Sequence, residues 1–498
     1  MKITPEQVAA FERVSQDHNP LHTDPYYSRS TQFGRPVVYG MCTVLLGLAA
    51  WAKGRRFQLS ALRGQFGKPL FEGDEYELRI AGSGKEVKIR YLKGAVVQSG
   101  FAFTWEERQA GPLDGLRAGH PVFRPLLQAK DPEVAAAVEH WQGRAFPYSM
   151  DVKCAAELLP RLGLQADQLP LHQFNALLGS SYFVGMELPG RQALYSTFDF
   201  KFDNSFGGGN GGGFQFDAVT VKRDARLGRV AIYGRGIGIR AFSLVAFQRP
   251  KPVRYDTDSI RAAAGQSELL AGRAVFISGA TRGFGSVLAR MLALQGATLM
   301  VNYRSNRDRA EALAADVRRW NSRITLHGGD VSRAEDCRNI GAEIRSGVGR
   351  IDVLISNAFP QIAARSFLEQ DGAEFLRFVT ESVAATVMLF RELLPLMSNG
   401  GVVMLVSTIY TQAPKPQFSH YLAAKAALEG LMRTLALEFP EQRFIIVRPP
   451  RMLTDQTNLA FDMAPPVSPV EVGCRLLAAL NRPQEPGNLT EINLSAEN

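Results

Sequence analysis

The chain has 498 residues, 46% hydrophobic and 21% charged, which is ordinary globular usage and excludes disorder or low complexity for most of its length. Lys and Arg number 57 against 48 Asp and Glu, a formal net charge of +9; that excess bears on anionic partners, not on fold. A chain of this length is expected to hold about three domains. Cys42, Cys154, Cys337 and Cys474 are scattered without CxxC or metal-ligand spacing, so they read as thiols of a reducing compartment and no metal is expected. The N-terminus lacks an apolar signal region, and the longest apolar run, 37–52, is shorter than the ~20 residues of a bilayer span. The expectation is a soluble cytoplasmic protein with no membrane partner. No dense basic run, zinc-finger spacing or aromatic RNA-binding motif is present, so no nucleic-acid partner is expected either.

Residues 5–14 read as a helix. The polar segment Ser15-Gln16-Asp17-His18-Asn19-Pro20-Leu21-His22-Thr23-Asp24 follows, and Pro20 makes it a turn or a short irregular connection. A carboxylate and an imidazole five residues apart on such a turn can converge on one water or one substrate hydroxyl, as general acid–base chemistry requires. The same residues also suit a solvated Asx turn, with Asp17 and Asn19 capping the next helix. An apolar helix at about 41–53 and β-like stretches at 64–66, 75–81, 85–91 and 95–105 come next. One long buried helix wrapped by an antiparallel sheet satisfies that order.

The polar box, followed by Phe33-Gly-Arg-Pro-Val-Val-Tyr-Gly-Met41 and the apolar helix, resembles the MaoC-like hot-dog (R)-specific hydratases and dehydratases over roughly residues 1–110. Their motif is Asp-x-Asn-Pro-x-His, then a stretch ending His-Gly-Met. The resemblance implies that Asp17 and His22 are the catalytic pair, holding the water added to or lost from a 2,3-enoyl thioester. It implies that Asn19 supports the loop and that the backbone N–H of Gly40 faces the thioester carbonyl. Tyr39 departs from the pattern, standing where the family usually has His.

The middle of the chain, about 145–248, repeats this order. The LeuLeuGly of 45–47 recurs at 177–179, each followed by a helical stretch, a Gly-Arg pair (54–55 and 190–191) and an apolar strand, which suggests two copies of one fold side by side. The second copy has no Asp-x-Asn-Pro-x-His, and His172 stands alone before its helix. It reads as a catalytically silent half that supplies an acyl-binding groove. Gly207–Gly213 reads as a flexible loop, and 250–270, with Pro, charges and an Ala-rich stretch, as a linker.

From about Gly272 on, short apolar runs (274–278, 298–303, 324–327, 353–356, 402–407, 444–447) alternate with amphipathic stretches such as 287–295 and 307–320. Uncharged β-rich runs suit strands covered on both faces, and the alternation predicts a doubly wound parallel sheet. Ser278-Gly279-Ala280-Thr281-Arg282-Gly283-Phe284-Gly285 follows the first of these strands and opens a helix, a spacing that lets backbone approach a pyrophosphate. Tyr421-Leu-Ala-Ala-Lys425 puts a phenol and an ammonium on one helix face. That ammonium, with a cofactor's positive ring, would lower the phenol's pKa toward neutrality.

Together these residues resemble the short-chain dehydrogenase/reductases over about 270–460. The resemblance places the family's catalytic serine at Thr408, with Ser407 adjacent, beside Tyr421 and Lys425. It assigns cofactor binding to Gly279, Thr281, Arg282, Gly283, Gly285, Asp330, Val331, Asn357, Thr454, Tyr421 and Lys425. Ser356 and Phe359 in Ser356-Asn-Ala-Phe359, Pro450 in Pro449-Pro450, and Ser382 depart from the family pattern. The second strand ends Asn302-Tyr303-Arg304 without an acid for a ribose hydroxyl, and Arg304 and Arg282 suit a 2′-phosphate, so NADPH is expected.

The expected organisation is α/β plus α+β. Residues 1–125 form a catalytic hot dog, 126–250 a degenerate second hot dog, 251–271 a linker and 272–498 a Rossmann-type domain. The expected function is a fused 3-oxoacyl-thioester reductase and 3-hydroxyacyl-thioester dehydratase working on acyl carrier protein or coenzyme A. By resemblance it is also a homodimer or tetramer. Two alternatives stay open: the same enzymes run in reverse for degradation, or a dehydratase joined to a non-catalytic reductase-like domain.

Overall fold

The computed structural model describes residues 1–108 except Ser83, 125–205 except Asp151 and Ala166, 214–251, 253, 255–320, 323–454, 457, 466–481 and 489–494. It divides into two compact units, Met1–Lys251 and the described residues from 253 on. The glycine run 207–213 lies outside the described residues. No helix among those described is long and apolar enough to cross a membrane.

In the first unit, helix α1 (Pro5–Ser15) starts on a reciprocal capping box between Thr4 and Gln7, with Pro5 in its first turn. Helix α2 (Gly40–Ala52) buries residues on every side, from Met41 to Ala52, so it can only be stable enclosed by other elements. Strands β1 (Phe57–Phe66), β2 (Glu77–Ala81), β3 (Glu86–Lys93) and β4 (Val96–Glu107) wrap it. After the short strand β5 (Phe146–Tyr148), helix α3 (Leu171–Tyr182) and strands β6 (Ala193–Phe202), β7 (Phe214–Asp224), β8 (Arg229–Gly236) and β9 (Ile239–Gln248) repeat the arrangement.

The strands form one sheet in the order β2-β3-β4-β1-β6-β9-β8-β7-β5. Apart from the short β5, each half lists its strands in the same internal order, and the strands that follow the buried helix of each half, β1 and β6, pair antiparallel at the seam. The LeuLeuGly repeat falls in α2 and α3. Two hot dogs sharing a sheet are therefore present. At the seam Gly64 faces Phe198, and a Cβ there would lie 2.6 Å from that ring, so only glycine admits it. Gln173 of α3 pins the irregular point of β1 by accepting from the Leu59 N–H at 2.8 Å and donating to its carbonyl at 2.9 Å.

The second unit carries a seven-stranded parallel sheet. Its strands are β10 (Ala274–Ile277), β11 (Thr298–Tyr303), β12 (Ile324–Gly328), β13 (Ile351–Ser356), β14 (Met397–Val406), β15 (Arg443–Arg448) and β16 (Leu489–Asn493), in the order β12-β11-β10-β13-β14-β15-β16. All residues of β10 and β15 are buried, as a sheet covered on both faces requires. Alternate residues feed separate cores: Val275 and Ile277 face one, Ala274 and Phe276 the other. The covering helices that bear on the site are α5 (Gly283–Leu294), α8 (Gly372–Leu393) and α9 (Ser419–Glu438).

The stretch 251–271, expected as a linker, is a correction. Asp256 caps a helix over Thr257–Ala264, and Ile260 and Leu270 are buried in the core of the second unit. The Ala-rich composition that suggested a spacer serves a short amphipathic helix with one buried edge.

Candidate active sites

In the first unit, α1 ends at Gln16 in a left-handed conformation (φ 58°), which turns the chain into the polar box. Asn19 accepts from the Leu21 N–H and so caps the short helix Pro20–Thr23. The Asx-turn reading is thus realised at Asn19 and also at Asp17, whose oxygen accepts the Asn19 N–H. Asp17 is 1% exposed. One of its oxygens accepts the Asn19 N–H at 3.2 Å and the other the Ser181 hydroxyl at 2.8 Å. Burial pushes its carboxyl up to about 7, against the pull of those two hydrogen bonds.

His22 Nδ1 lies 2.6 Å from the Val37 carbonyl. A carbonyl only accepts, so Nδ1 carries the proton and Nε2 keeps its lone pair. Burial is the main cause that lowers the imidazole to about 4, and the charge of Arg249 adds to it. Above that pH His22 is a neutral base and Asp17, up to about 7, a neutral acid. Tyr39 links them: its ring stacks on His22 at 4.0 Å and its hydroxyl donates to the Asp17 carbonyl at 2.6 Å. Gly40 opens α2, whose N-cap offers no side-chain hydrogen bond, so its backbone N–H stands at an uncapped helix N-terminus. A Cβ on Gly40 would lie 2.6 Å from the Phe66 ring.

The second half is not silent in building this site. Ser181 of α3 holds Asp17, and Asn19 Nδ2 donates to the carbonyls of Gly185 at 2.7 Å and Gly190 at 3.0 Å. A Cβ on Gly185 would come 2.5 Å from an Asp17 oxygen. Sequence reading missed Ser181 and Gly185, because neither belongs to a motif and both lie over 160 residues from Asp17. His172 is half-buried, with its pKa lowered to about 4 mainly by desolvation, and lies against the backbone of Gly238.

In the second unit, the glycine loop joins β10 to α5. Gly279 (φ 65°) and Gly283 (φ 53°) adopt left-handed conformations, and a Cβ on Gly279 would lie 2.8 Å from the Ala358 Cα. Ser278 Oγ accepts the N–H groups of Asn357 and Ala358, while Asn357 Nδ2 donates to the carbonyls of Ser278 and Gly279. Asn357 thereby fixes the loop. A Cβ on Gly285 would strike the Gly279 carbonyl, and Thr454 lies 3.9 Å from where a Gly283 side chain would start. Thr281 and Arg282 are half-buried, and no side chain caps α5. An uncapped helix behind a tight glycine turn fits a pyrophosphate.

Thr408 caps the turn at 409–411, and its side chain is near enough to the Tyr421 phenol to pull its pKa down. Ser407 is turned away, its hydroxyl donating to Glu429 at 2.6 Å. Of the two candidate hydroxyls, Thr408 therefore faces the tyrosine. In the chain by itself burial pushes the Tyr421 phenol up to about 12, with Thr408 opposing; the expected fall is a property of the phenol beside a cofactor's positive ring. Lys425 is instead the group brought near neutrality, lowered to about 7 by burial. Its ammonium donates to the Val406 carbonyl at 2.6 Å and lies 4.0 Å over the ring of Phe359 but 6.0 Å from that of Tyr421.

Phe359 also meets Tyr421 edge-on at 5.4 Å, so one ring touches both catalytic candidates. Ser382 bonds back to the Phe378 carbonyl within α8, and Ser356 pairs with Thr386 in the core. Nothing in the structure explains Pro450. Val331 is buried in the core with Cys337 and Ile340, so its backbone alone is available to a ligand. Asp330 accepts from Ser332, and Arg304 lies 3.9 Å from it. Sequence reading also missed Glu429, 2% exposed, whose carboxylate holds Ser407, Thr411 and the buried Arg448.

Residues 1–99 match the family model described as MaoC like domain, and residues 273–464 the model described as short chain dehydrogenase. The chain is 32% identical over 187 residues to 11-beta-hydroxysteroid dehydrogenase A of Sesamum indicum, a match covering 37% of this chain and 53% of that one. It is 29% identical over 163 residues to 1-cyclohexenylcarbonyl-CoA reductase of Streptomyces collinus, covering 33% and 58%. The chain thus spans little more than half the length of these relatives. A solved dehydrogenase/reductase from Sinorhizobium meliloti 1021 aligns at 26% identity with a TM-score of 0.42, covering 47% of this chain and 98% of that one. The chain is a fusion of a MaoC-like dehydratase domain, at the start of its double hot dog, and a short-chain dehydrogenase domain of Rossmann type.

Proposed function

We propose that the chain reduces 3-oxoacyl thioesters with NADPH and dehydrates the resulting 3-hydroxyacyl thioesters, on coenzyme A or acyl carrier protein, in a biosynthetic direction. The observation that carries this reading is the pair of acid–base couples, Asp17 with the half-buried His22 and Tyr421 with Lys425, whose reaction types are consecutive on one thioester.

In the reductase the Thr408 and Tyr421 hydroxyls hold the substrate carbonyl oxygen. Tyr421, protonated at neutral pH, gives its proton to that oxygen as the carbonyl becomes a hydroxyl. The hydride would come from NADPH. The glycine loop, Asn357, Thr454 and Lys425 would hold it, and Arg304 with Arg282 would favour the phosphorylated form. In the dehydratase His22 Nε2 takes the C2 proton, and the Asp17 carboxyl gives its proton to the C3 hydroxyl. The C3–O bond breaks, water leaves and the C2–C3 double bond forms. The Gly40 N–H stabilises charge on the thioester oxygen.

The Streptomyces relative is named for a CoA-linked substrate, and a net charge of +9 suits anionic carriers. A cytoplasmic homodimer or tetramer, pairing through the helices around Tyr421 and Lys425, belongs to the same proposal. A second reading, cofactor binding without turnover, draws on the Phe359 ring over the Lys425 ammonium. Incubation with acetoacetyl thioester, following NADPH absorbance and acyl mass together, separates the two. NADPH loss with an enoyl product supports the bifunctional reading. Unchanged NADPH, with dehydration of added 3-hydroxyacyl thioester, limits the chemistry to Asp17 and His22.

A further inference from the structure

One residue beyond Gly190, whose carbonyl Asn19 holds, two guanidinium groups surround one ring. Arg191 Cζ lies 5.0 Å and Arg249 Cζ 5.5 Å from the centroid of Tyr27. The Tyr27 hydroxyl donates to the Arg191 carbonyl at 3.1 Å, and Arg249 Nη2 donates to the Tyr27 oxygen at 3.0 Å and to the same carbonyl at 2.9 Å. Arg249 is 5% exposed, yet its Nε is buried without a hydrogen-bond partner. No carboxylate among the described residues pairs with either guanidinium. The nearby acids are committed elsewhere: Glu187 to Lys130, and Asp24 to the N–H groups of Tyr26 and Tyr27.

Hydrogen bonds to neutral oxygens do not offset the burial of a cation, and a second cation on the same ring adds repulsion. An anion would complete the arrangement. It also lies beside the acid–base pair, since the Arg249 charge is felt at His22 and Asn19 ties the adjoining backbone to the loop that carries Asp17.

We propose that Arg249, with Arg191 across Tyr27, forms a seat for an anionic oxygen group carried by the thioester substrate. That group is either a phosphate of the carrier arm or a carboxylate of the acyl chain. This inference rests on the thioester dehydratase reading of Asp17 and His22.

The test is hydration, by the full-length protein, of crotonyl-CoA, of crotonyl-N-acetylcysteamine, which has neither anion, and of the N-acetylcysteamine monothioester of fumaric acid. In Arg249→Gln the ratio of kcat/KM for the seated anionic substrate to that for neutral crotonyl-N-acetylcysteamine falls about tenfold, the worth of one charge-assisted contact. A fall confined to crotonyl-CoA assigns the seat to a carrier phosphate, and one confined to the fumaric thioester assigns it to an acyl carboxylate. Arg249→Lys, which keeps the charge, recovers most of the ratio. Ratios unchanged in Arg249→Gln, whether rates fall together or not at all, overturn the seat and leave a structural pin. Hydration of crotonyl-N-acetylcysteamine by the unaltered protein checks the underlying reading separately; hydration of none of the three overturns both.

Discussion

The two candidate sites use burial in the same way and build their support differently. In each, one group is raised and its partner lowered: Asp17 to about 7 against His22 to about 4, and Tyr421 to about 12 against Lys425 to about 7. In the second unit the supporting groups lie close along the chain: Thr408, Ser407 and Glu429 are within twenty-two residues of one another. In the first unit the reactive pair sits on one short loop, while the groups that hold it come from the other hot dog, over 160 residues away. The second hot dog has no Asp-x-Asn-Pro-x-His of its own, yet its Ser181, Gly185 and Gly190 hold the loop of its twin.

The strongest way to break the comparison is to disable one acid at a time. Asp17→Asn is expected to slow dehydration about a thousandfold and to leave NADPH-dependent reduction intact, measured with 3-hydroxyacyl and 3-oxoacyl thioesters in turn. Loss of both activities would mean the sites are not independent. The same variant is expected to melt higher than the unaltered protein at pH 8. A carboxyl raised to about 7 by burial costs stability as pH climbs from about 4 through 7, and the amide does not ionise.

Glu429→Gln tests the local support of the second site. Breaking a buried ion pair costs about 3 kcal/mol, so denaturant unfolding of the second unit should shift by that order, with a fall in reduction as Ser407 and Thr411 lose their acceptor.

Ser181→Ala tests the support given from a distance. Dehydration by the unaltered protein should be best between about pH 4, where His22 becomes a base, and about 7, where Asp17 ceases to be an acid. Ser181 holds the Asp17 pKa down, so its loss should move the alkaline limb upward, with a rate change of about tenfold or less. An unmoved limb would remove Ser181 from the site.

The smallest effect is expected at Phe359. Its ring face favours the charged form of Lys425, so Phe359→Leu should move the alkaline limb of reduction, near pH 7, downward by about one unit.

The sequence by itself determined the two fold types and their most local chemistry. Alternating apolar runs force a covered parallel sheet, an all-round apolar helix must be wrapped, and Asp17, His22, Tyr421 and Lys425 stand in short motifs whose spacing is their geometry. Only the tertiary structure decided that Thr408 and not Ser407 faces the phenol, since adjacent residues point apart and the buried Glu429 takes one of them. It also decided that Ser181 and Gly185 hold Asp17, because contacts across a seam between two halves leave no periodicity or spacing to read. The pKa order within each pair belongs there too, because desolvation depends on what covers a group and the motif carries no record of its cover.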